Sequence, residues 1–347
     1  MRAWTDKCAY LSRRGRRWLE STAVNHVKRI LVIRQCAFGD YMAARPFLVE
    51  LRRLFPEAHV TLATVSSYRY AVPEDLVDEV FVQDTVGNIA QQWRSLQSLG
   101  PMDILFDLAD TSRSHLLTLM TSAPIKLGFP YRRFFNHLLY DVGLQRSNYH
   151  YEAEVLLDFL KVMGHKPHYP LEFAMPRHRP AAAAATIVYF PFASVAEKSL
   201  SLDSWCQLID QAARELPDYR HVLLEGHKSE ESGDFLAKVV GTHTTVEIQP
   251  RMPLEELAPW MAAISVLVCG DTGVRNLALA THTPTLGIFF RTLPYRYWPR
   301  YEDCHEAVFL RSGEMPGKTD ILQGLDELLQ RVYPERGQPR QTVESSA

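Results

Sequence analysis

The chain has 347 residues, 46% of them hydrophobic and 22% charged, with a formal net charge of −2. These are the proportions of a soluble globular protein, and the length suits two domains of roughly 150–180 residues each. No apolar run approaches the ~20 residues that span a bilayer, and the N-terminus lacks the apolar centre of a signal peptide, so a cytoplasmic protein is expected.

Residues 1–28 read as a basic extension ahead of the fold. Residues 1–29 carry eight Lys/Arg against Asp6 and Glu20, which leaves the body of the chain acidic. Trp4, Cys8, Leu11, Trp18 and Leu19 recur at near-helical spacing among the arginines. One reading is an amphipathic helix on an anionic membrane surface, interrupted by Gly15; the other is a solvated basic tail. A basic run confined to one end of an acidic chain argues against a nucleic-acid partner.

A first domain is expected over 29–178. Arg29–Arg34 is an apolar strand of the buried parallel type, followed by a turn at Ala37-Phe38-Gly39 and a helix from about Asp40 to Phe55. His59–Thr64, Val77–Val82 and Asp103–Leu108 read as further strands, Pro124–Phe129 as a short strand and turn, and Tyr151–Met163 as a helix. Pro176–Ala185 is the linker. The pattern then restarts over 186–333 with strands at Thr186–Phe190, His221–Glu225 and Thr245–Ile248. Helices are expected at Asp203–Leu216, Ser232–Val240 and Leu254–Ala263. Next come a strand at Ile264–Cys269, a turn at Gly270-Asp271-Thr272-Gly273, an Ala/Leu helix over Val274–Thr281, a strand at Pro284–Phe289 and a closing helix from about Thr319 to Val332. Residues 334–347 read as a polar, disordered tail. Alternating strands and helices in both halves predict an α/β protein with two doubly wound, Rossmann-like domains.

The five cysteines (Cys8, Cys36, Cys206, Cys269, Cys304) are scattered without a C-x-x-C, which predicts free thiols in a reducing compartment. Neither half has a G-x-G-x-x-G, which disfavours bound NAD or FAD, and P-loop and G-x-S-x-G motifs are missing. His165 and His168 flank Pro167 in a loop, and Asp107 with Asp110 reads as turn-forming, so no metal is expected at either place. Asp271, Thr272 and Gly273 open a helix, where unpaired N–H groups and the helix dipole suit a phosphate. Lys198 follows the small turn Phe192-Ala193-Ser194, where a cation beside backbone donors suits a diphosphate; a solvated loop lysine is the plainer reading. Asp40 stands where strand one gives way to a helix, as either helix N-cap or catalytic base.

Read in order, these segments resemble glycosyltransferase family 9, the ADP-heptose:lipopolysaccharide heptosyltransferases, from Arg29 to about Val332. The resemblance rests on Arg29–Arg34, Phe38-Gly39-Asp40, Leu51-Arg52-Arg53-Leu54-Phe55-Pro56, Asp103–Leu108 with Arg113-Ser114, and Leu127-Gly128-Phe129. In the second half it rests on Phe192–Ser194 with Lys198 and Trp205. It rests above all on Asp271-Thr272-Gly273 with Leu277-Ala278, Ala280 and Thr283-Pro284. The family resemblance implies a GT-B fold, with two Rossmann-like domains facing a central cleft, and inverting, metal-independent transfer of heptose from ADP-heptose, with no cofactor.

It implies Asp40 as the base, and Ser194, Lys198, Asp271, Thr272, Gly273 and Asn276 at the donor, with Glu230 near the nucleoside. It further implies Arg113, with Arg132 or Arg133, facing an anionic, lipid-linked saccharide acceptor at the cytoplasmic face of the inner membrane. Two features depart from the family pattern. Asn276 replaces its His, and Phe190-Pro191-Phe192 and Lys198-Ser199-Leu200-Ser201 replace its "H-P-G" and "K-x-W-P". Another nucleotide sugar, a protein acceptor, or a catalytically silent binding subunit are the alternatives.

Overall fold

A computed structural model describes residues 10–21, 26–83, 88–130 and 138–335, apart from the side chains of Ile89 and Ala196. The sequence readings for Arg132, Arg133, Trp4, Cys8 and most of the C-terminal tail lie outside these residues. The chain divides into two compact units, Met1–Ala174 and Met175–Ala347.

In the first unit the elements run β1 (Tyr10–Leu11), α1 (Arg13–Ser21), β2 (Arg29–Ile33), α2 (Phe38–Leu54), β3 (His59–Val65), β4 (Glu79–Gln83) and α3 (Ile89–Ser98). Then come β5 (Ile104–Asp107), α4 (Ser112–Met120), β6 (Ile125–Gly128), β7 (Val142–Gly143) and α5 (Glu152–Val162). The sheet order is β1-β7-β6-β5-β2-β3-β4, and every pair is parallel except β1 with β7. β2 is apolar and buried on both faces because helices cover each side. Leu31, Ile33 and Leu105 pack with Leu96 of α3, Leu99 just after it and Leu117 of α4. Phe106, one residue out of phase, meets Phe47 of α2 edge-on at 5.2 Å and Phe159 of α5 at 6.4 Å.

The N-terminal segment corrects one expectation. Residues read as an extension ahead of the fold belong to the first unit: Tyr10–Leu11 pairs antiparallel with Val142–Gly143. Arg14 donates to the carbonyls of Ala123 (2.6 Å) and Pro124 (2.5 Å). Gly15 does not interrupt the helix; it is the point of closest approach, where a Cβ would lie 2.7 Å from the Asp141 carbonyl oxygen. Arg13, Arg16 and Arg17 remain exposed.

The second unit runs β8 (Thr186–Phe190), α6 (Leu202–Glu215), β9 (Arg220–Leu224), α7 (Ala237–Thr242), β10 (Val246–Gln249) and α8 (Leu254–Ala263). It continues with β11 (Val266–Cys269), α9 (Gly273–Ala280), β12 (Thr285–Ile288), β13 (His305–Val308) and α10 (Lys318–Val332). The all-parallel sheet has the order β10-β9-β8-β11-β12-β13. Its core packs Ile187, Tyr189, Val266, Val268 and Ile288 against Trp205 and Ile209 of α6 and Leu325 and Leu328 of α10. His178, assigned by sequence to the end of the first domain, belongs here. Its N–H donates to Thr281 and its Nε2 lies 3.0 Å from the Tyr333 hydroxyl. Among the described residues no helix is long and apolar enough to cross a membrane.

Candidate active site

Open parallel sheets bind ligands outside the carboxyl ends of their strands, where the strand order reverses. In the second unit that reversal lies between β8 and β11, neighbours in the sheet whose connections run in opposite directions. The loops leaving these two strands hold Lys198 and Asp271. Lys198 Nζ stands 2.8 Å from Asp271 Oδ2, with the side chains 27% and 11% exposed. The sequence signals at these two positions, 73 residues apart, are therefore one site.

Local chemistry fixes both loops. The loop after β8 ends in a short 3₁₀ turn, closed by the Lys198 N–H to Val195 carbonyl bond of 3.0 Å. Ser199 holds this loop in place: its hydroxyl donates to the Pro191 carbonyl and accepts from the indole N–H of buried Trp205 at 3.1 Å. Gly270 faces it so closely that a Cβ there would lie 3.0 Å from the Lys198 carbonyl oxygen. Thr272 takes the N-cap position of α9 in an extended conformation, and its side chain makes no capping bond. Its hydroxyl is thereby left for another partner, beside the first N–H groups of the helix.

Ser194 is exposed in the same loop as Lys198. Asn276 is buried in the first part of α9, and Gly273 starts that helix. Glu230 is exposed in the loop after β9, where Glu225 accepts from the Gly233 N–H and Glu231 from the Lys228 N–H. Between Thr272 and Asn276 lies a residue whose role the sequence reading missed. Arg275 is buried, stacks over Phe289 at 5.2 Å and donates to the Tyr297 carbonyl. Gly287 makes room for it, since a Cβ there would meet Arg275 Nε at 2.6 Å.

In the first unit the strand order reverses between β2 and β5, and Asp40 follows β2. The N-cap of α2 is Ala37, so the capping alternative for Asp40 does not hold. Asp40 is the third residue of the helix, and its side chain is 36% exposed. Beneath it lies Arg34, 2% exposed, with Nη2 3.8 Å from Asp40 Oδ1 and 3.3 Å from Oε1 of buried Glu152. Arg34 also donates to the Leu108 carbonyl, and Arg146 donates to both carboxylate oxygens of Glu152. A buried ion pair survives only with such additional bonds. The sequence reading assigned no role to Arg34, Arg146 or Glu152. An arginine closing an apolar strand was the available signal, but its partner lies 118 residues away.

Neighbouring groups are structural. Burial pushes the Cys36 thiol up to about 12, and likewise Cys269, so neither is a ready nucleophile. Asp107 accepts from the Tyr140 hydroxyl at 2.6 Å and from the Ala109 N–H at 3.0 Å, and burial raises its pKa. Asp110 faces His115 at 3.3 Å. His165 and His168 both bond Glu50. Arg113 is exposed in the first turn of α4, which opens on the reciprocal Thr111–Ser114 cap.

Comparison with known proteins agrees with this arrangement. The family model described as glycosyltransferase family 9 (heptosyltransferase) matches residues 92–322. A candidate glycosyltransferase of Haemophilus influenzae is 23% identical over 308 residues, covering 81% of this chain and 88% of that protein. The structure of E. coli heptosyltransferase WaaC with ADP-2-deoxy-2-fluoro heptose superposes with a TM-score of 0.66 at 18% identity, covering 86% of this chain and 99% of that one. E. coli ADP-heptose lps heptosyltransferase II gives 0.67 at 18% identity, over 87% and 99% of the two chains. The fold is therefore GT-B.

Proposed function

The chain belongs to glycosyltransferase family 9, and we propose that it transfers heptose from ADP-heptose, with inversion, to a lipid-linked saccharide acceptor of lipopolysaccharide. The observation that carries the donor half of this reading is the Lys198–Asp271 pair at the strand-order reversal, beside the start of α9. A nucleoside diphosphate leaving group needs fixed positive potential where its charge develops. Lys198, the hydroxyls of Ser194 and Thr272, and the N–H groups opening α9 at Gly273 supply it. Asn276 and Glu230 complete the donor set in this proposal.

In the transfer, an acceptor hydroxyl oxygen attacks the anomeric carbon from the face opposite the diphosphate. The bond from that carbon to the diphosphate oxygen breaks, and its electron pair leaves with ADP. Asp40 takes the hydroxyl proton, a step that contributes about 10²–10⁴-fold. Arg34 is a positioning residue: anchored on Glu152 and the Leu108 carbonyl, it holds a positive charge 3.8 Å from the Asp40 carboxylate. No metal or cofactor enters these steps. Arg113, with Arg132 or Arg133, is proposed to face anionic groups of the acceptor. Exposed Arg13, Arg16 and Arg17 on α1 suit an anionic inner-membrane surface on the cytoplasmic side.

A second reading keeps the reaction and changes the donor sugar. It is favoured by Asn276, which donates a hydrogen bond but carries no proton or positive charge at neutral pH. Calorimetric titration with ADP, UDP, GDP and ADP-heptose tests both. Selective binding of ADP and ADP-heptose is the expected result. Preference for UDP or GDP moves the assignment to another nucleotide sugar, and no binding to any of them moves it to a silent subunit.

A further inference from the structure

A second cluster of chemically competent side chains lies at the opposite, amino edge of the second sheet. It forms where β13 begins and where the loop from α9 returns to β12. His282 Nδ1 is 3.1 Å from both carboxylate oxygens of Glu302. Glu302 Oε2 is 3.5 Å from His305 Nε2 and 3.7 Å from Cys304 Sγ. The ligand atoms of Glu302, Cys304 and His305 all lie within 4.8 Å of one another.

From these residues we propose a zinc site with Glu302, Cys304 and His305 as protein ligands and water in the fourth position, His282 bonding the Glu302 carboxylate. Three observations carry it. Zinc takes nitrogen at ~2.0–2.1 Å, carboxylate oxygen at ~2.0–2.2 Å and sulfur at ~2.3 Å, so neighbouring ligands around a tetrahedral ion stand about 3.3–3.6 Å apart. The distances from Glu302 to His305 and Cys304, 3.5 and 3.7 Å, stand at the upper end of that range. Mixed nitrogen, sulfur and oxygen ligation suits zinc and not the all-oxygen preference of calcium or magnesium.

The third observation is the surroundings. His305 Nδ1 lies 3.2 Å from the Thr285 hydroxyl on β12, which leaves Nε2 directed at Glu302. An outer bond of this kind sets the tautomer of a metal-binding imidazole. The positive charge of Arg275 reaches His305 and opposes a cation there. A carboxylate and a thiolate together offset it and balance a divalent ion.

Binding displaces the Cys304 thiol proton to solvent, and the sulfur lone pair forms the bond to the metal; nothing is oxidised or reduced. The ion would order the start of edge strand β13. It takes no part in glycosyl transfer, since Lys198 and Asp271 stand at the other end of the strands.

The test is titration of the full-length, reduced chain with Co²⁺ as a spectroscopic stand-in, followed by displacement with Zn²⁺. The expected result is one equivalent bound, with tetrahedral d–d bands and a thiolate-to-cobalt charge-transfer band, both removed by Zn²⁺. Cys304→Ser should lose the charge-transfer band, and Cys206→Ser should keep it. His305→Gln provides a second variant if Cys304→Ser fails to fold, and it should weaken the d–d bands. A folded wild-type chain without the charge-transfer band, or a band that survives Cys304→Ser, overturns the proposal. So does a His305→Gln titration identical to wild type.

Discussion

Replacement of Lys198 by alanine should weaken ADP binding without unfolding the second unit. The ammonium is 2.8 Å from Asp271 and about a quarter exposed, so it is partly shielded from solvent and already held in place. A hydrogen bond to a charged partner at such a position is worth about 1.5–3 kcal/mol. That corresponds to a rise in Kd of about 10- to 160-fold. Asp271→Asn acts with the opposite sign. It keeps the shape and removes a negative charge from beside the proposed diphosphate. For unit charges about 6 Å apart the repulsion lies between ~0.7 and ~2.8 kcal/mol as the effective dielectric falls from 80 to 20. We expect relief near the lower end, roughly 1 kcal/mol, or about fivefold tighter ADP binding. Isothermal titration calorimetry of both single variants and the double variant measures each value. Circular dichroism and thermal melts confirm that each variant is folded. A folded Lys198→Ala chain that binds ADP within about threefold of wild type would refute the reasoning, since the predicted charge-assisted bond is larger than that. Weakening by Asp271→Asn as large as that by Lys198→Ala would refute the charge argument.

Two further predictions concern stability. Tyr333→Phe removes a buried hydroxyl that bonds His178 Nε2 at 3.0 Å and the Ser265 carbonyl at 2.9 Å, so it should cost about 1–3 kcal/mol, read as a lower denaturation midpoint in urea; an unchanged midpoint would contradict the assignment. Glu50 is buried, and although burial raises its pKa, bonds from His165, His168 and Arg53 hold it below the usual carboxylate value. A carboxyl lowered on folding stabilises fully above its unfolded pKa of about 4.3, and loses that contribution as pH falls through its lower folded value. The stability gap between wild type and Glu50→Gln should therefore narrow from pH ~5.5 toward pH ~3, whereas a gap constant across that range would show that the carboxylate is not the stabilising form.

Much of the sheet architecture was legible because buried parallel strands are plain apolar runs. Arg29–Arg34 and Thr186–Phe190 are such runs, and both form central strands at or within one residue of the expected limits. The third strand was read early, at Val77, because apolar content begins there. It starts at Glu79, since the Asp78 carboxylate instead accepts from the Val60 N–H at 2.7 Å and the chain enters the sheet after that bond. Helix α3 was overlooked between Val82 and Asp103, although Asn88 and Gln91 form its reciprocal cap. Short strands β1, β7 and β13 were overlooked as well, because two to four residues carry too little alternation to read. Of the candidate site, each turn was visible as Gly, Asp and Thr or Ser near a strand end. The pairing of Lys198 with Asp271 and of Arg34 with Glu152 was not, because parallel-sheet order, not sequence distance, brings those loops together.

The most direct test of the account is a transfer reaction with ADP-heptose and a heptose-deficient lipopolysaccharide core as acceptor, followed by mass spectrometry of the product and by release of ADP. Wild-type chain should add one heptose unit per acceptor. Asp40→Asn should fold normally and lose about 10²–10⁴-fold in rate, the contribution of a general base. No transfer by a folded wild-type chain that binds ADP-heptose would contradict the acceptor assignment, and undiminished transfer by Asp40→Asn would contradict the mechanism.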